Sequence, residues 1–203
     1  MTCLVVIPVK PPAEAKLRLA ATLPAEARER LVRAMLDHVI VTVTGAPGVD
    51  AVAVLGGEGV ALGGSVRRIA DSGGGLNPAL QAMFDQPGAI GCDRLIVMHG
   101  DLPRLTGADV QHLAELSADR IGIAPDRHGT GTNGISLPLP AARKFRFAFG
   151  PDSRARHCAE AARIGLPVEL LTSAGLGCDV DEPADLADIG QLADNLMSKE
   201  FYS

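Results

Sequence analysis

The sequence predicts an α/β domain built on a largely parallel sheet covered by helices, and three observations point there. Short aliphatic runs alternate with longer amphipathic ones along the chain. Residues are 47% hydrophobic yet only 3% aromatic, without tryptophan, which is the make-up of an aliphatic core. The stretches rich in glycine and charge follow the aliphatic runs, where loops at the carboxyl edge of a parallel sheet converge on a crevice.

Residues 3–9 are an unbroken apolar run and form the first strand. Pro24 opens a helix over 24–41: proline suits the first helical position, Glu26 meets the positive end of the helix dipole, and Leu31, Met35 and Val39 share one stripe. The β-branched run 39–43 competes with that assignment. Strands follow at 50–55 and 66–70, then a helix over 76–84 with Leu76, Leu80 and Phe84 on one face, and a strand at 94–98. Thr106 caps a helix over 106–116, and 120–124 and 133–137 are strands. Residues 152–165 are helical, 166–171 and 175–180 extended, and Pro183 starts a closing helix within 182–197. No repeat, low-complexity linker or shift in composition divides residues 1–203, which are read as one domain.

A chain of 203 residues buries a core without disulfide or metal staples. Its net charge of −5 and scarcity of aromatic side chains exclude a general nucleic-acid binder, which needs clustered cations and stacking platforms. Cys3, Cys92, Cys158 and Cys178 lack metal-ligand or disulfide spacing and fit reduced thiols. The apolar opening 2–9 is too short for a secretion signal, and no run reaches membrane-spanning length. The expectation is a cytoplasmic protein with no membrane partner; the oligomeric state stays open, a homodimer included.

Several segments carry chemistry. The run 124–133 (APDRHGTGTN) has glycines, threonines, Arg127 and His128 suited to a phosphate nest, although a polar hairpin explains it equally well. Lys10, Lys16 and Arg18 follow the first strand and can grip a polyphosphate, or else decorate a solvated loop. Asp101, in His99-Gly100-Asp101-Leu102-Pro103, is placed to hold a divalent cation or to cap a turn. Asp179 and Asp181, if extended, point to one side and can share Mg2+ with Asp101. Capping of the helix at Pro183 by Asp181 or Glu182, with Asp185 favoured by the dipole, is the competing reading and leaves Asp179 unexplained. Gly73, Gly74, Gly75 and Asn77 offer a platform for a base or ribose, or form a plain loop. Phe149-Gly150-Pro151-Asp152-Ser153 opens a helix whose N-terminus attracts anions, while His157 within it reads rather as a packing histidine.

Taken in order, Ile7-Pro8-Val9-Lys10, Ala15-Lys16 with Arg18-Leu19, Gly73 to Asn77, Gly100-Asp101-Leu102-Pro103, the 124–133 run, Phe149-Gly150 with Ser153 and His157, and Asp179-Val180-Asp181 give a pattern that resembles the phospholactate or phosphoenolpyruvate guanylyltransferase family over nearly the whole chain. The resemblance implies a single-domain, Rossmann-like nucleotidyltransferase fold of the nucleotide-diphospho-sugar transferase (GT-A) type, a three-layer sandwich shared with molybdopterin guanylyltransferases. It implies transfer of GMP from GTP to a three-carbon phospho-acid, with release of pyrophosphate, in coenzyme F(420) biosynthesis. Phosphoenolpyruvate is favoured as acceptor over 2-phospho-L-lactate and 3-phospho-D-glycerate. By motif, Asp101, Asp179 and Asp181 match the metal-binding aspartates, and Thr132, Gly150 and Ser153 the acceptor positions. Lys10, Lys16 and Arg18 join Asp101 as catalytic candidates, and Gly73, Gly74, Gly75 and Asn77 are candidates for the nucleotide. Leu17 stands where a small hydroxyl residue is expected, and His99 is unusual before Gly100-Asp101. Two other readings are a molybdopterin-type nucleotidyltransferase, whose first loop is usually richer in glycine than one with Pro11 and Pro12, and a catalytically silent nucleotide-binding module.

Overall fold

Strand β1 (Cys3–Val9) splits its side chains between two cores: Cys3, Val5 and Ile7 face one, Leu4 and Val6 the other. A strand apolar at every position, rather than every second, is what burial on both faces requires. The computed structural model describes residues 1–10, 16–86 and 91–198, so Pro11, Pro12 and Ala15 of the first loop lie outside the described residues. With β2 (Ala51–Gly56), β3 (Arg67–Ile69), β4 (Arg94–Met98), β5 (Ile121–Pro125), β6 (Thr132–Pro138) and β7 (Val168–Leu170), β1 forms one sheet in the order β3-β2-β1-β4-β6-β5-β7.

Helices α1 (Ala25–Thr44) and α3 (Gly107–Ala114) cover one face, and α2 (Leu76–Asp85) and α4 (Ser153–Arg163) the other, completing three layers. The β-branched run at the end of α1 is helical: Leu36, Val39, Ile40 and Val43 recur at helical spacing and enter one core. Each fully buried aliphatic side chain there contributes about 1.5–3 kcal/mol, more than the few tenths by which β-branching disfavours a helix. Helix α6 (Pro183–Met197) lies beside α1 over a third cluster that holds Leu31, Met35, Val180 and Ile189.

Two features depart from the expected pattern. Residues 175–180 are not extended but contain a short helix, α5 (Ala174–Gly177), because Ser173 Oγ accepts the Leu176 amide at 3.0 Å and caps the turn. Strand β6 runs antiparallel to both neighbours, β4 and β5, whereas the remaining pairs are parallel. The loop from β5 to β6 is too short for a parallel crossover, so the chain must reverse. That reversal sets Gly134 opposite Met98 and brings the start of β6 to the edge where β1 and β4 end. Among the described residues no helix is long and apolar enough to cross a membrane.

Candidate active site

A cleft of about 890 Å³ opens at this edge, within the size range of small-ligand sites. One wall is ionic. Lys16, held in a left-handed conformation (φ 55°), sends its ammonium to Asp101 Oδ2 and, at 2.7 Å, to Asp181 Oδ1. Burial alone lowers the lysine pKa, but the two carboxylates outweigh it and hold the group above its ordinary value. Burial pushes the Asp101 carboxyl up, and the charge of Lys16, helped by His99, brings it below the usual carboxylate range. Asp179 is raised by burial and then by the negative charge of Asp101, against a hydrogen bond from Asn133 Nδ2 at 3.2 Å.

Asp185 relieves the Asp181 side chain of a capping role. Its Oδ2 accepts the backbone amides of both Asp181 and Glu182 at 2.7 Å, so it performs the capping that the sequence allotted to Asp181 or Glu182. Its other oxygen pairs with Arg127, which also bonds Asp188 at 3.0 Å. The charge of Arg127 is thus spent on anchoring α6, which corrects its expected place in a phosphate nest with His128; Thr130, Gly131 and Thr132 of the same run do line the cleft.

The three aspartates share a wall but do not form a closed metal site: among the described residues no group of three or more His, Cys, Asp or Glu is arranged to hold a metal. The physical reason is the Lys16 ammonium, which already occupies two of the carboxylates. The donor set nevertheless fits a hard divalent cation. Asp101 Oδ1 is buried without a partner, and Asp179 carries the unrelieved repulsion of its neighbours.

Another part of the lining is backed by a buried hydrogen-bonded histidine. The Ala148 amide donates to His157 Nε2 at 3.0 Å, so that nitrogen is the acceptor and Nδ1 carries the proton. Nδ1 then donates to Thr132 Oγ1, also at 3.0 Å, leaving the threonine hydroxyl proton available to a ligand. Burial pushes the His157 pKa down to about 4 and keeps the ring neutral. Ser153 begins α4, and its amide donates to the Gly150 carbonyl at 3.1 Å; Gly150 has φ 114°, which favours glycine.

The remaining candidates divide. Lys10 and Arg18 are exposed and line the cleft, with Arg18 reaching Glu182 at 3.4 Å. Gly75 lines it, while Gly73, Gly74 and Asn77 do not. Asn77 spends its amide on one peptide, donating to the Phe149 carbonyl at 3.0 Å and accepting the Phe149 amide at 2.7 Å. Its amide therefore fixes the Phe149 corner of the cleft. Asn133 escaped the sequence reading as a site residue because its partners Leu176 and Asp179 are distant in the chain. Asp185 was read only as an acid favoured by the dipole, although its place just after the amides of Asp181 and Glu182 is a local capping signal.

A sheet of this order, with an acid- and lysine-lined cleft at its carboxyl edge, defines a nucleotidyltransferase-type fold. A nucleotidyl transferase from Methanothermobacter thermautotroptrophicus shares that fold, with a TM-score of 0.66 and 16% identity over 97% of this chain and 98% of its own. The profile of the family described as guanylyl transferase CofC like matches residues 3–203. A protein named phosphoenolpyruvate guanylyltransferase from Sphaerobacter thermophilus is 39% identical over 194 residues, 93% of each chain. One of the same name from Conexibacter woesei is 37% identical over 200 residues, 95% of this chain and 89% of its own. The chain belongs to the CofC-like guanylyl transferase family.

Proposed function

We propose that this chain transfers GMP from GTP to phosphoenolpyruvate with Mg2+ as its cofactor. An oxygen of the acceptor phosphate attacks the α-phosphorus of GTP in line, the bond to the β-phosphate breaks, and pyrophosphate leaves. The acceptor phosphate is already ionised near neutral pH, so no general base is needed, and the protein acts by positioning and charge neutralisation. Asp101, Asp179 and Asp181 would hold Mg2+, which offsets charge where two polyanions meet. Lys10 and Arg18, exposed at the mouth, neutralise the triphosphate, and Lys16 supports the same charge from between the aspartates. Thr132, its oxygen already accepting from His157, donates its hydroxyl proton to the acceptor beside Gly150 and Ser153.

The observation that carries this reading is that the Lys16–Asp101–Asp181 bridge and Thr132, backed by the buried His157, line one cleft. The test incubates purified protein with GTP, Mg2+ and, separately, phosphoenolpyruvate, 2-phospho-L-lactate, 3-phospho-D-glycerate and molybdopterin, and identifies products by mass. A guanylylated phosphoenolpyruvate, formed with pyrophosphate and lost in Asp101→Asn, is expected. Tight GTP binding without turnover on any acceptor would sink the reading in favour of a silent nucleotide-binding module, and a pterin product would replace it with the molybdopterin activity.

A further inference from the structure

We infer that His99 contacts the acceptor, its imidazole donating a hydrogen bond to an anionic oxygen of the phospho-acid and so helping to set which acid is taken. This rests on the proposed transfer and adds a residue that the motifs did not assign. His99 lines the cleft between Asp101, two residues on, and the Phe149-Gly150 corner. Its ring leans on Phe149 with centroids 5.3 Å apart and planes at 37°, and its backbone amide donates to the Asn133 carbonyl at 2.9 Å. Asn77 fixes Phe149 in turn, so the imidazole leans on an anchored ring.

Among the described residues neither ring nitrogen of His99 has a hydrogen-bond partner, and Nε2 is buried. A neutral imidazole always carries one donor and one acceptor, and leaving such a group buried and unpaired is costly enough to be rare in native cores. His157 provides the internal contrast. It packs against the same Phe149, with centroids 4.8 Å apart, and has both nitrogens satisfied by Thr132 and Ala148. One histidine is thus a finished structural element, whereas the other is a fixed, unsatisfied polar group lining a cleft. The ligand atom this neighbourhood favours is a hydrogen-bond acceptor, since the Thr132 hydroxyl donor lines the same cleft, and with Mg2+ held by the aspartates as proposed it is an anionic one.

The experiment compares His99→Leu, His99→Asn and His99→Gln with the unmodified protein by steady-state kinetics and by calorimetric binding of phosphoenolpyruvate alone. Leucine keeps the apolar contact with Phe149 and removes the donor. The acceptor KM and Kd should rise about 10- to 100-fold, the loss of one hydrogen bond to a charged group, with the GTP KM within about twofold. Asparagine places an amide nitrogen near the position of Nδ1 and glutamine near that of Nε2, so one of the two should restore most of the affinity and name the nitrogen. An unchanged acceptor KM in the leucine variant, or equal losses in all three, overturns the inference. If the leucine variant does not fold, the asparagine and glutamine pair decides, and equal behaviour of those two overturns it. Absence of turnover in the unmodified protein instead refutes the transfer reaction, and this contact with it.

Discussion

Acidification should weaken this protein in a window set by one buried ring. His157 is 0% exposed, and burial, with smaller contributions from Arg156 and His99, pushes its pKa from the ordinary 6.5 to about 4. Between those values the unfolded chain binds a proton that the folded chain refuses, so stability rises with pH across the interval. The stabilisation is complete above pH 6.5 and is lost progressively as pH falls toward 4. At about 1.4 kcal/mol per pH unit, the interval corresponds to about 3 kcal/mol, a large share of the ~5–15 kcal/mol typical of a domain. His157→Gln removes the titration. Urea unfolding at about pH 7.5 and about pH 4.5 should show the native protein losing about 2–3 kcal/mol more than the variant. Parallel losses in the two proteins would refute the assignment of a buried, neutral histidine.

Lys16→Met removes the ammonium between Asp101 and Asp181; it should cost about 2 kcal/mol in EDTA, less than the ~3–5 kcal/mol of a fully buried pair, and be partly repaired by Mg2+. A melting temperature indifferent to Mg2+ would count against a cation site on that wall. Asp185→Ala strips two amides of their acceptor and Arg127 of its buried partner, so the urea midpoint should fall by the equivalent of about 3 kcal/mol and turnover should fall with it. An unchanged midpoint would show that α6 needs no such anchor. Asn77→Leu frees the Phe149 peptide, and initial-rate kinetics should show about a tenfold rise in the acceptor KM with the GTP KM constant. The reverse pattern would return Asn77 to the nucleotide.

The elements were largely legible because their signals are local. Strands β1 and β4 lie where continuous aliphatic runs place them, and α3 begins after Thr106, whose side chain accepts the Asp109 amide as its composition foretells. Where local pattern failed, tertiary packing or capping had overruled it. The β-branched end of α1 is helical because its residues enter a core, and the extended reading of 175–180 gave way to a turn capped by Ser173.

Residue by residue, the sequence alone identified carboxylates, cations and glycine-rich turns at strand ends, because a packing core has no use for them there. It could not say which side chains would meet. Lys16 finds Asp181 across 165 positions, Asn77 finds Phe149 across 72, and Arg127 turns from the cleft to α6. Such pairs are set by the reversal of β6 and by how helices dock on the sheet, and hydrogen bonds depend on tenths of an ångström that no linear spacing encodes. Composition therefore determined what chemistry this edge of the sheet can hold, and the tertiary structure alone decided which groups are already spent on each other and which remain for a ligand.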